Sequence, residues 1–149
     1  LPYDPLRDEV VLIEQFRIGA CDDLSGPWLI EIIAGLREPG EPVDALIHRE
    51  AMEEAGCTIS NLLHLFHYYS SPGGSNEEID LYLARTDTTG LGGICGLDEE
   101  GEDIRVLVMK SDAAFDLLER GRIDSAMPII ALQWLQLNRD KIRRRWQAE

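Results

Sequence analysis

Hydrophobic and polar positions along this chain follow two periods, one of strands and one of helices. Residues 10–16 (VVLIEQF) form a nearly continuous apolar run between Asp8 and Gly19, the pattern of a buried strand. Residues 19–27 (GACDDLSGP) are turn-rich and predict a loop, after which residues 28–33 (WLIEII) predict a second strand. Between Pro42 and Gly56 the period lengthens. Val43, Ile47 and Ala51 recur every fourth residue, Pro42 suits a first helical turn, and Gly56 suits a helix end. Residues 58–69 and 79–84 predict two further strands, separated by the turn cluster at 71–75, and residues 104–109 (IRVLVM) predict another. Two helices close the chain. Ser111 is expected to cap the first, whose apolar side is Ala114, Phe115, Leu117 and Leu118 and which Gly121 ends. Asp124 or Ser125 is expected to cap the second, with Pro128 near its start and Ile129, Ile130, Leu132, Trp134, Leu135 and Leu137 packed on the sheet.

A chain of 149 residues with 44% hydrophobic content is expected to form one domain over residues 1–149. No run approaches the ~20 apolar residues of a membrane span, and no signal-peptide pattern is present. Cys21, Cys57 and Cys95 are scattered and odd in number, which suits thiols in a reducing, cytoplasmic compartment. The formal net charge of −14 opposes nucleic-acid binding, which needs basic phosphate contacts. The basic end at Lys141, Arg143, Arg144 and Arg145 is too short to reverse this and suits a helix C-terminus. A phosphorylated ligand is compatible with so acidic a chain only through metal.

The acidic charge is densest where it is least comfortable. Glu50, Glu53 and Glu54 stand at i, i+3 and i+4 near the end of the predicted helix. There the macrodipole is negative, and like charges one turn apart repel by roughly 0.2–0.5 kcal/mol per pair. A hard divalent cation with oxygen ligands reverses that penalty. Elsewhere the signals are weaker. His64 and His67, three apart on a predicted strand, should point to opposite faces and form no metal pair. Residues 86–101 (TDTTGLGGICGLDEEG) predict one long mobile loop carrying Glu99 and Glu100, with Glu102 just beyond it. A loop of this kind can close over a site. Residue types alone do not choose among these three acids.

The spacing from Gly35 through Glu41, Arg49-Glu50 and Glu53-Glu54 to Gly56 resembles the signature of the Nudix hydrolases, with Ala51 and Cys57 where larger aliphatics are usual. Pro72, fifteen residues past the signature, is similar in placement to the marker of the ADP-ribose pyrophosphatase subgroup. The resemblance implies a Nudix-type α/β/α sandwich with a mixed β-sheet, and hydrolysis of the diphosphate of a nucleoside diphosphate sugar. The best match is ADP-ribose, giving AMP and ribose 5-phosphate. It implies metal ligation (Mg²⁺, or Mn²⁺) by Glu50, Glu53, Glu54, Glu102 and the Ala34 carbonyl, with Glu100 as the water-activating base. Arg49 would orient the acids, and Glu41 would support the loop–helix geometry. Arg17, Leu36 and Glu77 would meet substrate. Longer members carry an N-terminal segment exchanged within a homodimer, so the expected partner is a second copy, and part of the site would lie upstream of Leu1. Another nucleoside diphosphate sugar, or a non-catalytic binding module for such ligands, remains the alternative.

Overall fold

The computed structural model describes residues 1–97 and 101–148. Among these, the chain builds a mixed seven-stranded sheet between one helix on one face and two on the other. The strands are β1 (Pro2–Asp4), β2 (Glu9–Phe16), β3 (Trp28–Glu31), β4 (Ile59–Tyr69), β5 (Glu78–Thr86), β6 (Gly93–Cys95) and β7 (Ile104–Lys110). The helices are α1 (Val43–Ala55), α2 (Ser111–Glu119) and α3 (Ala126–Gln147). The sheet order is β4-β5-β1-β2-β7-β6, with β3 paired to β2, and only the β1–β5 pair is parallel. No helix of the described residues is long and apolar enough to cross a membrane.

β2 is the axis. Val10, Val11, Leu12 and Ile13 are all fully buried, because both sheet faces are covered there. The two-residue period sorts them: Val10 and Leu12 join the core beneath α2 and α3, whereas Val11 joins the core beneath α1. α3 supplies Ala131, Leu132, Leu135, Ile142 and Trp146 to the larger core, a helical stripe along its length. Leu137 falls off that stripe and is 85% exposed, contrary to the packed position the sequence suggests.

One edge of β2 is shared by two strands, and this opens the site. β1 pairs with Glu9 and Val10, while β3 pairs with Ile13 through Phe16 and stops at Glu31 opposite Ile13. The chain therefore leaves the sheet at its middle and passes directly into the loop before α1.

Three local expectations are corrected. Pro42 holds the N-cap position of α1 and not its first turn. Ser111 is the first residue of α2, and its buried hydroxyl donates to the Asp8 carbonyl at 3.3 Å and to Asp8 Oδ1 at 3.1 Å without capping the helix. Residues 86–101 are not one structureless loop, since β6 pairs with β7 from Gly93 to Cys95. The hydrophobic run of β6 is too short for its period to register.

Asp4 ties the entrance of the sheet together. It is 1% exposed and accepts from the amides of Leu6, Arg7 and Thr88, the Thr88 hydroxyl and the Arg7 guanidinium. Burial opposes its ionisation, but these donors outweigh burial and hold its carboxyl below the usual range. Such a group stabilises the fold above its unfolded value of about 3.9 and loses that contribution as pH falls through the lower folded value. Asp4→Asn is expected to lower unfolding free energy by about 2–3 kcal/mol at pH 7, read from urea unfolding, with the gap to wild type closing below about pH 4. An unchanged midpoint at pH 7 would contradict this role.

Candidate active site

The signature helix carries its acids on two different surfaces. Along α1 the buried positions are Leu46, Ala51, Glu54 and Ala55, so Glu54 rides on the apolar stripe itself. Val43 and Ile47 are only half buried, and Leu46 takes the position on the core that the sequence assigns to them. Glu54 is 4% exposed, and its Oε2 accepts the Ala34 amide at 3.0 Å. Burial pushes its carboxyl up to about 8, the Ala34 amide opposes this, and the charges of Glu50 and Glu102 add to it. Glu50 is likewise raised, first by burial, and Arg49 opposes that shift. A group of acids so unfavourably placed fits a divalent cation, whose charge would invert the local electrostatics.

Gly35 explains how close the loop comes. A Cβ built there would lie 1.8 Å from Glu50 Oε1, so only the missing side chain admits the Glu50 carboxylate. Arg49 binds the group from outside, reaching Glu41 at 3.3 Å and Glu50 and Glu53 at 2.9 Å each. Its side chain is 39% exposed, so these pairs contribute little stability and mainly fix orientation. Glu41 also accepts the Glu38 amide at 3.2 Å, and its carbonyl accepts Arg37 Nε at 2.8 Å, which folds the loop onto the helix start.

The end of α1 reaches the acid-bearing segment by a backbone bond. Gly56 takes a left-handed conformation at φ 58°, and the Cys57 amide turns back to the Ala51 carbonyl. The Glu53 carbonyl is left to accept the Gly96 amide at 3.2 Å. Gly96 itself has φ 104°, and a Cβ there would lie 2.7 Å from that of Glu102. Glu102 Oε2 then accepts the Leu97 amide at 3.1 Å, beside Glu50 and Glu54, on whose ionisation its charge acts.

The structure thus brings together Ala34, Arg49, Glu50, Glu53, Glu54 and Glu102. Arg17 stands at the margin: its charge acts on Glu54, and its Nε donates to Glu31 Oε2 at 2.8 Å. Leu36 is 87% exposed on the loop, and Glu77 lies in the β4–β5 turn, where its amide donates to Ser75 Oγ. Glu100 lies outside the described residues. Glu31 was missed by sequence reasoning. It is 5% exposed, and it holds Gln15 Nε2 at 3.2 Å as well as Arg17. Its signal was available, as a lone acid in the apolar run WLIEII. Two clefts are lined by other residues, one of about 430 Å³ by Asp4, Arg7 and Arg85 among others and one of about 310 Å³ by Trp28, Ile94 and Arg105 among others.

Because the folded value of Glu54 lies above the free value of about 4.3, its protonated form stabilises the fold. That contribution is complete below about pH 4 and is lost as pH rises toward 8. In chelator, Glu54→Gln is expected to raise the melting temperature at pH 8.5 and to leave it nearly unchanged at pH 4. Thermal scans showing equal destabilisation at both pH values would contradict the buried, strained state of this carboxylate.

Comparison with known proteins gives a NUDIX domain model matching residues 3–129. The ADP-ribose pyrophosphatase of Escherichia coli (strain K12) is 46% identical over 146 residues, covering 98% of this chain and 70% of that protein. The ADP-ribose pyrophosphatase of Haemophilus influenzae is 43% identical over 149 residues, covering 98% and 69%. A GDP-mannose pyrophosphatase of Cronobacter sakazakii is 36% identical over 138 residues, covering 92% and 71%.

Proposed function

The chain belongs to the Nudix family, and on that premise we propose that it hydrolyses the diphosphate of ADP-ribose, releasing AMP and ribose 5-phosphate. The observation that carries this reading is the buried Glu54 carboxylate, fixed by the Ala34 amide with Glu50 and Glu102 beside it. Support for the nucleotide comes from the relatives. Those named ADP-ribose pyrophosphatase reach 46% identity, against 36% for one named GDP-mannose pyrophosphatase, so a GDP-sugar is the second choice.

Glu50, Glu54, Glu102 and the Ala34 carbonyl would hold divalent cations, with Glu53 as a further oxygen donor. Their all-oxygen character suits Mg²⁺, with Mn²⁺ an effective substitute. A cation bound there neutralises phosphate charge and makes water more acidic. The chain's own residues do the rest. Arg49 keeps Glu50 and Glu53 from turning into solvent, and Glu41 fixes the loop that presents Ala34 and Gly35. Glu31 holds Arg17 by its Nε, leaving its remaining guanidinium nitrogens for an anionic diphosphate. Glu100 is the proposed base, taking a proton from the water that attacks phosphorus while the bridging P–O bond breaks. Leu36 and Glu77 are read as contacts to the outer parts of the substrate. The reading is of a cytoplasmic enzyme, which suits its unpaired cysteines, and of a homodimer, which rests on family resemblance.

Release of AMP from ADP-ribose is expected to need a divalent cation and to fall by ~10²-fold or more in Glu54→Gln or in excess chelator. Turnover undiminished in chelator would reject the metal-dependent mechanism. Glu100→Gln should keep substrate affinity while the single-turnover rate falls ~10²-fold or more. A wild-type rate in that variant would assign the base elsewhere.

A further inference from the structure

The pairing of β4 with β5 shifts register twice. The shift between His64 and Phe66 turns His64 and His67 to the same face, against the opposite faces that a spacing of three implies. Both hydrogen-bond to Asp80 Oδ1, at 3.2 and 3.1 Å. The other shift lies between Ser60 and Leu63, where Asn61 takes φ 46°, beside the cleft of about 430 Å³ that Ser60 helps to line. Three stretches meet in that cleft: the turn from β1 to β2, the start of β4 and the end of β5. None of the residues lining it belongs to the acid cluster of α1.

Arg85 is the odd side chain of this cleft. On β5 it follows Leu81 and Leu83 at the two-residue period, so it continues the face that packs beneath α3. Its neighbours in the sheet are Ser60 on β4 and Tyr3 on β1, and neither is a carboxylate. The chain holds 28 acids against 14 lysines and arginines, so an acidic partner would be easy to supply. Yet the half-buried Arg85 guanidinium makes no ion pair or hydrogen bond among the described residues.

The carboxylates of the cleft are already committed. Asp4 accepts the donors described above, and Asp87 accepts the Thr89 amide at 2.9 Å, the Thr89 hydroxyl at 2.6 Å and Arg7 Nη1 at 2.9 Å. Arg7 meets both acids through Nη1, which leaves its Nε and Nη2. Hydroxyls add to the supply of donors. That of Thr58 has no partner among the described residues, and that of Ser60 reaches only the Arg85 carbonyl, at 3.5 Å. Pro5, which also lines the cleft, accepts Arg143 Nε at 3.2 Å, so a third guanidinium stands at this end of the sheet. The surplus here is of donors, and the guanidinium forks match the oxygens of a phosphate.

We propose that this cleft binds a phosphate dianion, as a monoester or as the free ion, with the Arg85 fork holding it and Arg7, Thr58 and Ser60 as further donors. A monoester presents three terminal oxygens and about two charges near neutral pH, which suits one fork with hydroxyls beside it. The volume of about 430 Å³ falls within the roughly 300–1,000 Å³ of small-molecule sites and leaves room for an esterified group. This assignment stands whether or not the chain hydrolyses ADP-ribose.

The test is an NMR titration of the full chain with glycerol 3-phosphate and, separately, inorganic phosphate. Excess chelator ensures that no cation draws phosphate to the acids of α1. Saturable shifts are expected at the Arg85 Nε–H and at the Ser60 and Asp87 amides, with the Gly35 amide unmoved. Arg85→Gln breaks no ion pair, so it should keep the wild-type melting temperature and weaken binding at least ~10-fold. Arg85→Lys, which keeps the charge without the fork, should fall between the two. Tighter binding of the ester makes a monoester the ligand, equal binding makes it the free ion, and either result supports the site. Unmoved Arg85 and Ser60 signals at millimolar probe, or affinity within twofold of wild type in both variants, would overturn the proposal.

Discussion

A carboxylate removed from water and set beside two others of the same charge is the constraint on which this structure turns. Glu54 occupies a position on the buried stripe of α1 that packing alone would give to an aliphatic residue. It is compensated by the Ala34 amide, with the charge of Arg17 adding to it, and the amide bond follows from the chain leaving the sheet at Glu31 for the loop before the helix that bears Glu54. An isolated buried carboxylate costs several kcal/mol and takes up a proton to relieve the cost, the direction seen here. The arrangement is unfavourable for an empty fold and favourable for one that grips positive charge.

The surrounding features serve that placement. The shared edge of β2, with β1 on one part and β3 on the other, lets the loop emerge at mid-sheet instead of at a rim. Gly35 lets the loop backbone lie against Glu50, and Arg49 turns three acids toward one another from the solvent side. The amide of Gly96 fastens the start of the Glu102 segment to the end of the helix. Each of these links is local, and together they place side chains from three stretches of sequence within one electrostatic neighbourhood.

Much of this was legible in the sequence, for physical reasons that differ by element. The nearly continuous apolar run at residues 10–16 reads as a buried strand. The crowding of Glu50, Glu53 and Glu54 fits a solvated acidic face as well as a site, and it was the spacing from Gly35 to Gly56, by its resemblance to the Nudix signature, that singled it out. Other features depend on relations that no single segment encodes. A register shift in β4 decides which way His67 faces, and the partner strand sets that shift. Ser111 looks like a cap until Asp8, more than a hundred residues earlier, claims its hydroxyl. Glu31 was visible as an acid in an apolar strand, but its meaning came only with Arg17 and Gln15 arriving from β2 and its end.

The central claim is that the acids of α1 and Glu102 tolerate their mutual repulsion because they hold divalent cations against a diphosphate. Its most direct test is the anomalous scattering of Mn²⁺ in crystals grown with an ADP-ribose analogue whose bridging oxygen is replaced by methylene. The account predicts manganese peaks among Glu50, Glu54 and Glu102, with the diphosphate oxygens completing their coordination. Manganese absent from these carboxylates, with the analogue bound elsewhere, would contradict it.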